Sequence, residues 1–211
     1  MRVIRHSDSR IIVSLFTEHY GMLSAGVRLT RGGRTGGRSA LWQMLNVVEM
    51  SVDYRPASDL QKISDVSIST PWMDLPYSPV KASISMFLGE FLFRSLRGEG
   101  ENRPLFSFLY NSLRWLDEAE GNVANFHVLL MIRMTRFLGI WPGMAGYGRN
   151  MVYDMKNACF SASIPVHGQY LEPRDAMWIP LLLEMDYSRM HRLRMTRNER
   201  WHMLDVLLRY Y

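Results

Sequence analysis

The fold reading turns on "RIIVSLFTEHYGMLSAGVRL", residues 10–29. In its second half Leu23, Ala25, Val27 and Leu29 share one face while Met22, Ser24, Gly26 and Arg28 share the other, the period-two pattern of a half-buried strand. Arg28 should therefore point away from the core. "RIIVSLFT" reads as the preceding strand, and "EHYG" is a turn-length link ending in Gly21. Working outward, "MRVIRH" gives a short first strand and "LQKISDVSIS" a weak last one. In "VVEMSVDYR" the residues Val48, Met50, Val52 and Tyr54 alternate with Glu49, Ser51 and Asp53. So many short strands within residues 1–69 predict a small antiparallel barrel or sandwich.

"TPWMDLPYSP", residues 70–79, carries three prolines and is expected to link the strand half to a helical domain over 80–211. After Ser78-Pro79 an apolar stripe of Ile84, Phe87, Leu88, Phe91 and Leu92 predicts one helix. Pro104 opens a second, with Phe106, Leu109, Leu113 and Leu116, and a third over "NVANFHVLLMIRMTRFLG" ends at Gly139. Residues 142–176 hold neither period and read as an irregular insertion. Helical character resumes at "DAMWIPLLLEM", with Pro180 as a kink or break. A last helix opens with the capping box Thr196/Glu199 and continues through Trp201, Leu204, Leu207 and Leu208. The fold class is thus α+β, a β-rich N-terminal domain followed by an all-α one.

A formal net charge of +5, from 25 Lys and Arg against 20 Asp and Glu, points to an anionic partner. Between Glu18 and Glu49 there is no acid, and that window holds Arg28, Arg31, Arg34 and Arg38. One cysteine, Cys159, rules out an internal disulfide and every zinc site built on Cys-x-x-Cys pairs, so neither zinc nor another cofactor is expected. No signal-peptide core and no membrane-length apolar run is present, which gives the expectation of a cytoplasmic chain without a membrane partner. Sixteen methionines are read as core filling rather than as a binding surface.

"RLTRGGRTGGRS", residues 28–39, is one residue from the phosphate-loop pattern, with Arg38 where lysine is required. Alternating residues rather than a helix follow it, which disfavours a nucleotide-hydrolysing enzyme and a small-molecule substrate. Four arginines hinged by glycines suit a phosphodiester chain, and equally a solvated hairpin loop. Asp117, Glu118 and Glu120 at a helix end read as solvated surface. Cys159 and His167 form a weak nucleophile pair, with a small buried thiol and a hydrogen-bonded His as the plainer reading. Arg114, Arg133 and Arg136 flank Phe126, Leu130 and Phe137, a mixture that fits an acidic peptide with a hydrophobic end or an ordinary polar stripe. "SRMHRLRMTRNER" adds Arg189, Arg192, Arg194, Arg197 and Arg200, a further nucleic-acid track or solvated helix ends.

"HSDSRIIVSLFTEHYGMLSAGVRLTRGGRTGGRSAL" resembles the N-terminal signature of the RecO recombination mediators, and "LFSFLYNSLRWLD" and "FHVLLMIRMTRFLGIWP" resemble their later helices. The resemblance covers nearly the whole chain, and order and spacing carry it. It implies an N-terminal OB fold on a helical domain, and a bacterial, nucleoid-associated binding protein rather than an enzyme. It further implies binding of single- and double-stranded DNA, annealing of complementary strands, and binding of RecR. Loading of RecA onto DNA coated with single-strand-binding protein (SSB) follows from the same resemblance, with recognition of the acidic, phenylalanine-ended SSB tail. On that basis Arg28, Arg31, Arg34 and Arg38 become candidate DNA contacts, and Arg114, Arg133, Arg136 and Phe137 a candidate tail site. Two departures stand out. Many members carry a four-cysteine zinc module where this chain has residues 143–175, so Tyr147, Tyr153, Phe160 and Tyr170 are expected to hold that segment. The first barrel strand and the final helix of the family pattern lack full counterparts, as expected of a chain cut at both ends. An interaction scaffold whose barrel docks protein is the competing class.

Overall fold

A computed structural model describes residues 2–7, 10–28 and 41–211, which fall into two compact units, Met1–Ala119 and Glu120–Tyr211. The first is built on strands β1 (Arg2–Ser7), β2 (Arg10–Thr17) and β3 (Gly21–Arg28), an antiparallel sheet in the order β1-β2-β3. A second pair, β4 (Val47–Asp53) and β5 (Lys62–Thr70), is also antiparallel. Gln61 joins the two, bridging Ala25 and donating its N–H to the Ser24 carbonyl at 2.8 Å. Its buried side chain also holds the Arg55–Ser58 loop through both carbonyls and the Arg55 N–H.

The alternation on β3 is as the sequence predicts, with Leu23 and Ala25 buried and Gly26 and Arg28 exposed. Leu23 and Ala25 meet Ile11, Val13, Leu15 and Trp42 in one core, against which Met50, Val52, Ile63 and Val66 of the second pair also pack. At the β2–β3 turn, Thr17 Oγ1 donates to the Gly21 carbonyl and accepts the Tyr20 N–H. Gly21 has φ +66°, and a Cβ there would stand 2.1 Å from the Gly100 carbonyl oxygen, so only glycine fits.

Helices α1 (Pro79–Ser95) and α2 (Arg103–Glu118) complete this unit. Asn102 caps α2 by accepting the Leu105 N–H. Asp117 corrects the surface reading given to the helix-end acids: it is buried, whereas Glu118 and Glu120 are exposed. Its carboxylate accepts the backbone N–H groups of Met73, Asp74 and Leu75 at 2.9, 2.9 and 2.6 Å. Burial raises the pKa of this group, but the three N–H donors and nearby Lys81 outweigh it and leave the net shift downward. Lys81, itself buried, bridges Asp74 at 2.6 Å and donates to the Asp117 carbonyl. Asp117 lies four residues after Leu113, on the apolar face of α2.

In the second unit, helix α3 (Phe126–Met134) is buried almost all round, and the chain turns on to Gly139 at φ +73°. Residues 142–176 are less irregular than expected. They contain a three-stranded antiparallel sheet, β7-β6-β8, of β6 (Val152–Asp154), β7 (Cys159–Ser161) and β8 (Tyr170–Leu171). Strands this short show no period in sequence. Helix α4 (Pro173–Ala176) follows, then α5 (Trp178–Glu184), with the break at Met177 and Pro180 inside the first turn of α5. A 3₁₀ turn, Met190–Arg192, precedes α6 (Arg197–Tyr210), whose Thr196/Glu199 capping box is present. The buried face of α6 is Met203, Leu204, Val206 and Leu207, so Trp201 and Leu208, expected on the stripe, are exposed instead. Asn125 ties the unit together, donating to the Leu193 carbonyl and accepting from Arg200. Arg200 is thereby a structural residue rather than part of a surface track.

Candidate nucleic-acid interface

Arg28 ends β3 with its side chain exposed. Register adds a residue that sequence reasoning missed. Counting outward from Thr17 opposite Gly21, Arg10 pairs directly with Arg28 across the hairpin, and both are exposed. Like charges facing each other across a ladder repel. Among the described residues neither guanidinium has an ion-pair partner. The signal was available in the turn, which fixes the register of every residue behind it. Arg31, Arg34 and Arg38 lie outside the described residues.

Of the residues expected to take an acidic peptide, Arg114 lies in the first unit and Arg133, Arg136 and Phe137 in the second. Arg114, in the first unit, pairs with Glu118 at 2.9 Å, an exposed contact that holds its guanidinium above the ordinary value. Arg133, in the second, turns inward, donating Nε at 3.1 Å and Nη2 to the Met185 carbonyl while its guanidinium stands 5.8 Å from the Tyr187 ring. That carbonyl follows the last turn of α5, so Arg133 caps a helix end. Arg136 remains exposed, 6.0 Å from the Trp141 ring. Half-buried Phe137 and exposed Ile140 and Trp141 give that part of the chain an apolar character. Trp141 and Ile140 escaped the sequence reading because they lie past the helix, where periodicity is no guide.

Residues 1–72 match the family model described as recombination protein O N terminal, and residues 76–211 match the one described as recombination protein O C terminal. The chain belongs to the RecO family of DNA-repair and recombination proteins. It is 40% identical to the DNA repair protein RecO of Phocaeicola vulgatus over 211 residues, covering 100% of this chain and 88% of that one. The RecO of Bacteroides fragilis is 37% identical over 212 residues with the same coverage, and that of Porphyromonas gingivalis 29% over 211 residues, or 98% and 86% of the two chains.

For a RecO protein, residues 143–175 are where the zinc module was implied, and the donor set does not fit one. The segment has a single thiol, Cys159, and among the described residues no cluster of His, Cys, Asp or Glu could hold a metal ion. Its packing rests in part on the expected aromatics: fully buried Tyr153 meets Phe160 edge-on at 5.0 Å, and Phe160 meets Tyr147 at the same distance. A polar latch was missed. Buried Asp154 accepts the Lys156 and Asn157 N–H groups and the Asn157 amide, and lies 3.1 Å from His167 Nε2. Burial pushes the Asp154 carboxyl up, and the Asn157 donors with His167 bring it down to about 2. His167 Nδ1 accepts the Gln169 N–H, which places the ring proton on Nε2, toward Asp154. Both ring nitrogens are thus engaged within the latch, not with Cys159. Among the described residues no helix is long and apolar enough to cross a membrane.

Proposed function

We propose that this RecO protein is a recombination mediator that acts by binding rather than by catalysis. In this reading it holds and anneals single-stranded DNA, binds duplex DNA, and with RecR loads RecA onto SSB-coated strands in the bacterial cytoplasm at the nucleoid. Residues 1–69 form an OB-type DNA-binding module, residues 70–79 its link, and residues 80–211 the partner-binding helical domain. The observation that carries the reading is the cross-strand Arg10–Arg28 pair at the mouth of the segment bearing Arg31, Arg34 and Arg38. Two like charges facing each other across a ladder repel, and a polyanion offsets that repulsion. Arg136, with Phe137 and Trp141, supplies the cation and apolar surface for the SSB tail, and Arg133 shapes it by holding Met185.

Annealing of complementary oligonucleotides, with and without SSB, tests the reading. Acceleration that survives SSB coating is expected, and absence of annealing on bare strands would contradict it. For the tail, Arg136→Ala should weaken binding of an acidic Phe-ended peptide about fivefold, a modest loss for an exposed charge contact. Undiminished affinity would remove Arg136 from the site.

A further inference from the structure

The other end of the β2–β3 hairpin borders a cleft of about 500 Å3 within the first unit, between β2, β4 and helices α1 and α2. Its floor is apolar, with the rings of Phe16 and Phe106 centred 6.3 Å apart and Met22 and Met50 beside them. It is preformed. The Met22 N–H bonds the Glu99 carbonyl at 2.9 Å, fastening the hairpin turn to the α1–α2 loop, and Thr70 bonds Tyr110 at 3.0 Å. Buried Leu45 is held in the wall at φ +63°, a backbone region that disfavours a side chain. Such strain marks a site where position matters more than stability.

The rim decides the occupant. Among the described residues no Lys or Arg lines this cleft; its carboxylates are the exposed Glu18 and Glu49, with His19 3.9 Å from Glu18. A polyanion and an acidic tail are therefore disfavoured there. Strand β4 supplies Val47, Val48 and Met50 to the lining, and among the described residues it pairs with a strand on one edge only. An extended backbone thus has partners to bond, and the volume suits two or three large side chains. We propose that this cleft docks a segment of a partner protein in which apolar side chains are flanked by lysine or arginine. The docking is separate from DNA binding and leaves the arginine end of the hairpin open.

The test uses the intact protein and a short fluorescein-labelled Leu/Trp/Lys peptide, with its Leu/Trp/Glu counterpart as control, read by anisotropy. The lysine peptide should bind and the glutamate peptide should not. Glu18→Gln with Glu49→Gln should weaken binding about tenfold, as expected for two rim charges, while oligonucleotide annealing and the melting temperature stay unchanged. In a methyl-labelled sample the Met22 and Met50 resonances should shift on titration, and those of Met131 and Met134 in the other unit should not. Equal binding of the two peptides, an unchanged affinity in the double variant, competition by oligo-dT, or occupation of the cleft by a second copy of the chain would each overturn the proposal. Failure of annealing with peptide binding intact would count against the DNA reading alone.

Discussion

The two ends of one β-hairpin carry opposite chemistry. At the open end Arg10 faces Arg28 in water, and at the turn end, roughly 25 Å away along the strands, Glu18 lies beside an apolar cleft. Between them the same strands supply Ile11, Val13, Leu15, Leu23 and Ala25 to the core. Alternation thus leaves recognition to the strand ends, where the ladder no longer dictates which face must be apolar. In the proposed reading one hairpin holds a polyanion at one end and a basic, apolar segment at the other without the two competing.

The largest expected effect breaks this comparison at its basic end. Replacing Arg10, Arg28, Arg31, Arg34 and Arg38 by Ala should flatten the log–log salt dependence of single-strand binding by up to about 3.5 units, at roughly 0.7 per phosphate neutralised. The Glu18→Gln/Glu49→Gln protein should keep the parental slope. Next comes the frame that the comparison presumes. Asp117→Ala leaves three N–H groups of residues 73–75 without their acceptor and should cost about 4 kcal/mol by chemical denaturation. Because the folded Asp117 pKa is lowered, its contribution is present above the unfolded value and lost as pH falls through the folded one. At the turn end, Gly21→Ala forces a side chain into a left-handed backbone against the Gly100 carbonyl. It should cost about 3 kcal/mol and abolish peptide docking while leaving the salt slope alone.

The smallest effect comes from the second unit and serves as a control on the other two regions. His127 is buried in α3, where burial first and Arg200 second lower its pKa to about 4. The unfolded chain takes up that proton below about pH 6.5, so stability should fall as pH drops from 6.5 toward 4, by about 2 kcal/mol between pH 7 and pH 5. His127→Phe should remove most of that slope. A slope unchanged in this variant would place the titrating group elsewhere.

What could be read in advance followed the physics of each segment. Period two on β2 and β3 and the apolar stripes of α1 and α2 were legible because one face of each must be buried. Asp117 was misread because a carboxylate on an apolar face is interpretable only when its donors are known, and these come from residues more than forty positions earlier. Strands β6 to β8 were invisible because two or three residues cannot display alternation, and their Asp154–His167 latch depends on a contact across thirteen residues. Of the candidate site, Arg28 was placed on the correct face by alternation. Its partner Arg10 required register, and the inward turn of Arg133 required knowing where α5 ends.

Removal of the facing pair alone tests the central claim most directly. We predict that Arg10→Ala with Arg28→Ala flattens the salt slope of oligonucleotide binding by about 1.4 units and slows strand annealing in proportion. A slope and an annealing rate equal to those of the parent protein would contradict it.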